Sequence, residues 1–170
     1  MITLRLATTA DAELIADLSR QTFYETFADQ NTKEDMDKFM NEQFSRELLI
    51  KEVGAKDNIF ILAFDSNIPV GYARLRDNNV PPKIPETNAI EISRIYATIP
   101  YIGKGIGKCL MEKCIAIARD RNKAAIWLGV WKENKKALRF YQQWGFQIFA
   151  EHNFILGNDV QKDWLMIKTL

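Results

Sequence analysis

The chain opens on Ile2 to Ala7, where apolar and polar side chains alternate as in a short strand. Helical spacing then takes over. Thr9 fits a helix N-cap, Asp11 and Glu13 fall in the first turn, and Leu14, Ile15 and Leu18 line one face. Two more helices are predicted, one opened by Thr32 with Met36, Phe39 and Met40 inward, the other opened by Ser45 with Leu48, Leu49 and Val53 inward. Ile59 to Phe64 is a continuous apolar run, Asp65-Ser66-Asn67 supplies a turn, and Val70 to Leu75 completes a hairpin. Pro81, Pro82 and Pro85 make Asp77 to Asn88 a loop.

Ala89 to Ala97 is the next strand. Ile106, Leu110, Cys114 and Ile117 mark one face of a helix from Gly105 to Arg121, with Asn122 as its stop. Ala124 to Trp131 is a strand and Asn134 to Gln143 a short helix closed by Gly145. Phe146 to Phe154 and Trp164 to Thr169 are two last strands around the turn Gly157-Asn158-Asp159. This order implies an α/β protein whose mostly antiparallel sheet is covered by helices. A length of 170 residues predicts one domain over 1–170.

Composition narrows the class. At 47% hydrophobic and 26% charged residues the chain is an ordinary globular one. No apolar run approaches the roughly 20 residues of a membrane helix, and the first residues lack the apolar stretch of a signal peptide, so a cytoplasmic protein without a membrane partner is expected. Cys109 and Cys114 point to different sides of the predicted helix, which speaks against a disulfide between them. Residues 1–57 carry twelve acidic and seven basic side chains, whereas residues 100–145 carry ten basic and three acidic. Such faces are often only solvated, but they also suit a molecule with one end for phosphates and another for cations. Nucleic acid is not an expected partner, for neither a helix-turn-helix pattern nor a basic stripe with stacking aromatics is present. The sequence is compatible with a monomer or a homodimer.

The chemistry centres on Ile102-Gly103-Lys104-Gly105-Ile106-Gly107-Lys108, between a strand and a helix. Glycines there let backbone N–H groups turn toward an anion, and the helix N-terminus adds its positive dipole end. Lys104 and Lys108 add charge. The spacing fails the dinucleotide fingerprint, because Lys108 or Leu110 stands where its last glycine belongs. It also fails the nucleotide P-loop, because Cys109 follows Gly107-Lys108 where serine or threonine is needed.

The loop instead resembles the motif of the GCN5-related N-acetyltransferases, Gln/Arg-x-x-Gly-x-Gly/Ala at the start of a long helix. Gly105 and Gly107 match and Ile102 departs from the pattern, which removes a side-chain contact but leaves the backbone amides. A second family motif follows in order: Asn134, Ala137, Phe140-Tyr141 and Gly145-Phe146. Over most of the chain the sequence is similar to bacterial spermidine/spermine acetyltransferases linked to sporulation and protease control. Thr22-Phe23, Thr26-Phe27, Glu91-Ile92, Arg94-Ile95-Tyr96, Ile126 to Trp131, and a tail with His152, Phe154, Gly157 and Asp163 carry this likeness.

The resemblance implies an enzyme that moves the acetyl group of acetyl-CoA to the amine of a small molecule, with a polyamine as acceptor, by direct attack and without a metal. It implies that the backbone of Ile95, Tyr96 and Ala97 meets the pantetheine arm between splayed strands, that Ile102 to Lys108 hold the pyrophosphate, and that Asn134 touches the cofactor. Tyr141 would protonate the departing thiolate, unless it is a helix tyrosine packed on the sheet. Glu91, six residues before Ala97, is the candidate base; its other readings are an edge or solvent-facing glutamate, or an ion pair with Arg94 or Arg74. Tyr24, Phe27 and Glu91 are candidates for the acceptor pocket, with core packing the favoured use for Phe27. His152, the sole histidine, reads as a surface or hydrogen-bonding residue, and Trp127, Trp131 and Trp144 as core and sheet-face residues. Two other functions fit the same fold: acetylation of a protein N-terminus or lysine, and a silent acetyl-CoA-binding regulator.

Overall fold

The structure, a computed structural model, describes residues 1–170. Seven strands form one sheet: β1 (Ile2–Leu6), β2 (Asn58–Asp65), β3 (Ile68–Arg76), β4 (Ala89–Ala97), β5 (Ala125–Trp131), β6 (Gln147–Leu156) and β7 (Asp159–Thr169). Their spatial order is β1-β2-β3-β4-β5-β7-β6, and every pair is antiparallel except β4 with β5. That parallel step needs a crossover, which α4 (Ile106–Asp120) provides. The other helices are α1 (Ala12–Phe27), α2 (Lys33–Glu42), α3 (Arg46–Glu52) and α5 (Lys135–Gln143).

Alternation along the strands divides the core between the two faces. Ile61, Ala73, Ile90 and Ile126 pack with Leu110, Met111 and Cys114 of α4 and with Leu138 and Tyr141 of α5. Phe60, Leu62 and Tyr72 point the other way, toward Ile15 and Leu18 of α1. Side chains as fully buried as Ile61 and Leu62 contribute about 1.5–3 kcal/mol each relative to leaving them exposed. A third cluster joins Phe23 of α1 to Met36, Phe39 and Phe44 around α2, with Leu156 of β6 beneath them.

The predicted elements are present, with two shifts. Thr9 is not the cap of α1: Thr8 precedes a short 3-10 turn, Thr9–Asp11, and its backbone N–H donates to the Asp11 carboxylate at 2.8 Å. The last strand begins at Asp159 rather than Trp164, since the hairpin turn pairs Leu156 directly with Asp159 and the polar run to Asp163 is held by backbone pairing. No helix is long and apolar enough to cross a membrane.

Candidate active site

β4 and β5 share only three register pairs, Ala89 with Ala125, Ile90 with Ile126 and Glu91 with Trp127. Beyond them the strands part, β4 continuing to Ala97 beside β3 and β5 to Trp131 beside β7. The register places a bulge at Ser93, with Arg74 opposite Arg94 but Leu75 opposite Ile92, and a bulge bends its strand. The edge of β4 from Ile95 through Tyr96 to Ala97 therefore faces a gap without a strand partner. Gly71 on β3 holds this edge close to α4: a Cβ there would lie 2.6 Å from the Tyr96 carbonyl oxygen and 2.8 Å from Cγ2 of Ile106.

The loop after β4 is rich in unused backbone donors. Gly103 (φ +81°) and Gly105 (φ +87°) occupy left-handed backbone, and no heavy atom of another residue lies within 4 Å of where a Cβ would stand on either. Side chains of Thr32, Ser45 and Asn134 cap α2, α3 and α5, whereas α4 has no side-chain cap. The amides of Lys104 and Cys109 are used by Tyr101 and Gly105 carbonyls. Those of Gly103, Gly105, Ile106, Gly107 and Lys108 have no acceptor in the chain. Free donors so closely spaced at a helix N-terminus fit a phosphate-bearing ligand. The side chains of Ile102, Lys104 and Lys108 are exposed beside them.

Tyr141 lies on α5, whose N-cap Asn134 accepts from the Ala137 amide at 3.2 Å, and it packs in the core cluster beneath the sheet. The tyrosine is buried, with Phe146 at 6.0 Å between ring centroids. Burial holds its phenol above the usual tyrosine range, and the Cys114 thiol nearby is itself pushed up to about 12, so both are protonated at neutral pH. Burial raises the Tyr96 phenol too, with added repulsion from Tyr72, Tyr141 and Asp163, which draw in on it from β3, α5 and β7.

Glu91 lies where the strands part, and it is buried. Its Oε2 accepts from Arg76 Nε at 2.6 Å and from Asn79 Nδ2 at 2.7 Å. The expected alternative partners, Arg74 and Arg94, converge instead on Glu52 of α3 at 3.1 and 2.6 Å, because the sheet register sets Arg76 rather than Arg74 opposite Glu91.

Aromatic and polar side chains occupy the face of the sheet against which Phe27 of α1 packs. Phe27 packs 6.2 Å from Trp131 and 4.6 Å from Phe23, and Tyr24, one turn earlier on α1, is half exposed. Trp127 is buried and its Nε1 donates to the Asn79 carbonyl at 3.0 Å. His152 Nε2 stands 3.4 Å from Asp163 Oδ2, and both atoms lie 3.7 Å from where a Cβ on Gly129 would be. The hairpin could have revealed this pair, since counting back from the turn sets His152 opposite Asp163. Asp29, Asp35 and Asp159 line an open cavity of about 610 Å³ with Gln30, Asn31, Thr32 and Asn158. No group of three or more His, Cys, Asp or Glu side chains is placed to hold a metal ion.

A parted β4–β5 pair, a glycine loop with free amides and a buried tyrosine on α5 are compatible with an acyl-CoA-binding transferase. Residues 20–146 match the acetyltransferase (GNAT) family, and the chain belongs to it. It is 36% identical over 159 residues to an uncharacterized N-acetyltransferase from the pepI 3′ region of Lactobacillus delbrueckii subsp. lactis, covering 93% of this chain and 91% of that one. It is 24% identical over 151 residues to the spermidine N(1)-acetyltransferase of Thermoplasma acidophilum, covering 86% and 89%. The crystal structure of the PaiA N-acetyltransferase of Thermoplasma acidophilum in complex with coenzyme A shares the fold, with a TM-score of 0.79 at 23% identity over 100% of this chain and 99% of that one. The protein is an acetyl-CoA-dependent N-acetyltransferase.

Proposed function

We propose that residues 1–170 act as one catalytic domain that acetylates a primary amine of a polyamine such as spermidine or spermine. The observation that carries the acceptor is the acidic cavity. Asp159 lies four residues from Asp163 on the same face of β7, about 14 Å along the strand. An extended polyamine can place its reacting nitrogen in the β4–β5 gap and an unreacted ammonium among Asp29, Asp35 and Asp159. Asp35 accepts from the Asn158 amide at 2.7 Å and Asp159 from Gln161 at 3.1 Å, neutral donors, whereas Asp37 is paired with Lys33. The spermidine N(1)-acetyltransferase relative supports the same acceptor class. The sequence resemblance further attaches this activity to sporulation and protease control.

Bound acetyl-CoA supplies an activated acetyl thioester for direct attack by the amine. The free amides from Gly103 to Lys108 would hold its pyrophosphate, with Lys104 and Lys108 adding charge and Ile102 lying exposed alongside. The β4 edge at Ile95, Tyr96 and Ala97 would hydrogen-bond the pantetheine arm, and Asn134 would flank it. Tyr141 keeps its proton at neutral pH and would give it to the sulfur as the C–S bond breaks. Glu91, held by Arg76 and Asn79, would accept a proton from the attacking nitrogen through water. Tyr24 and Phe27 would frame the acceptor.

Comparing kcat/KM for spermidine, a simple monoamine and a lysine peptide at low and high salt tests the acceptor. Spermidine should lead, with a KM that rises with salt while that of the monoamine stays nearly constant. Equal efficiency with the monoamine would refute the polyamine assignment, and preference for the peptide would favour a protein substrate.

A further inference from the structure

We propose that His152, positioned by Asp163, takes the first proton from the incoming ammonium group. This rests on the acetyltransferase reading of the β4–β5 gap and adds a residue to it. An amine with a pKa of about 10.4 is neutral in only about one molecule in 2,500 at pH 7, so the acceptor arrives as an ammonium ion that cannot attack. Two protons must leave its nitrogen, one before the C–N bond forms and one after. Glu91 serves the second. The first needs a base on the side from which the acceptor enters, able to return the proton to water.

The pair meets these requirements by placement. His152 on β6 and Asp163 on β7 are opposite each other across the hairpin, on the face that Gly129 of β5 leaves open. A Cβ at Gly129 would stand in ordinary contact with both, 3.7 Å from each, so the glycine leaves the pair open on its β5 side. The His152 side chain is 47% exposed and that of Asp163 only 14%, an accessible base backed by a shielded carboxylate. His152 Nε2 stands 3.4 Å from Asp163 Oδ2, close enough for the carboxylate to orient the ring.

The other charged and titratable groups around the pair are accounted for. Glu151, next to His152, pairs with Lys132 and Lys162. Tyr96 is protonated on β4, and Phe27 of α1 and Trp131 of β5 carry no charge. The balance is direct. The ammonium gives one proton to the His152 imidazole and becomes a neutral amine, and the imidazolium, beside Asp163, passes that proton to solvent. The amine forms the C–N bond, the sulfur leaves with the Tyr141 proton, and the nitrogen's second proton returns to Tyr141 by way of Glu91 and water. One proton is released per acetyl group transferred.

The test is the pH profile of kcat/KM, read by CoA-thiol release with spermidine, for the wild type, His152→Gln and Asp163→Asn. His152→Gln should lose about 100-fold near pH 7 and converge on the wild type near pH 10, where the amine deprotonates unaided. Asp163→Asn should lose less near pH 7 and likewise converge on the wild type near pH 10. A His152→Gln profile that superimposes on the wild type, or a loss equal at both ends of the range, would overturn the assignment, the second because a merely structural role lowers activity at every pH. His152→Asn and calorimetric CoA binding guard against misfolding. Because the chain has one histidine, its ring resonances also report directly on the full protein. They should move when spermidine is added to the CoA complex, and unmoved resonances count against the proposal. A wild type that releases no thiol with any amine would instead sink the underlying acetyltransferase reading.

Discussion

Two glycines of the loop, Gly105 and Gly107, should respond differently to the same added methyl group. Gly105 sits at φ +87°, where a residue with a Cβ is strained by about 1–2 kcal/mol, but its Cβ would meet no protein atom within 4 Å. Gly105→Ala should therefore lower Tm by roughly 2–8 °C, the conformational cost alone in a chain of this size. Its effect on coenzyme A should be larger, because the space the methyl group enters is that of the ligand. Losing one charge-assisted hydrogen bond costs about 1.5–3 kcal/mol, which weakens binding by about 10- to 150-fold. Gly107 lies inside α4, and its Cβ would rest 3.5 Å from Phe140, an ordinary contact. Gly107→Ala should stabilise the helix by about 0.5–1 kcal/mol and leave binding nearly unchanged. Calorimetric titration with coenzyme A and thermal melts of both variants provide the comparison. Normal coenzyme A affinity in Gly105→Ala, or in the bulkier Gly105→Val, would refute the placement of the pyrophosphate.

Tyr141→Phe keeps the ring and removes the proton, so kcat should fall about 100-fold with coenzyme A affinity retained; unchanged turnover would remove Tyr141 as the proton donor. Glu91→Gln should lower turnover most at acidic to neutral pH, and an unaltered pH profile would leave water as the second acceptor. Arg5 beside Asp11, Arg46 beside Asp17, the chain's N-terminal amine beside Asp65 and Lys123 beside Asp77 hold these carboxyls below their usual range. The folded protein thus binds protons there less readily than the unfolded chain. Their stabilisation is complete above the usual carboxylate range and lost as pH falls through the depressed folded values, so Tm should drop progressively below about pH 4. A Tm constant down to about pH 2 would contradict these pairings.

The seven strands and five helices were legible because each carries its own period, and the glycine loop because its spacing rules out two other phosphate-binding motifs. What escaped depends on register. The bulge at Ser93 determines which arginine faces Glu91, and no local pattern announces it. Gly71 looks like any strand glycine until the fold brings Tyr96 and Ile106 to within 2.8 Å of its missing Cβ. His152 and Asp163 are eleven positions apart in sequence and meet only through a hairpin whose last strand runs five residues further than its apolar residues indicate. Hydrophobic periodicity locates elements, whereas the chemistry of this gap is set by cross-strand neighbours.

The most direct test of the central claim is release of free thiol from acetyl-CoA by the purified chain, with and without added amine. Thiol should appear at a sustained rate only when an amine is present, fastest with spermidine or spermine, in step with formation of the N-acetylated product. A protein that binds acetyl-CoA yet releases no thiol with any polyamine, monoamine or lysine peptide would contradict the account and leave a ligand-binding regulator in its place.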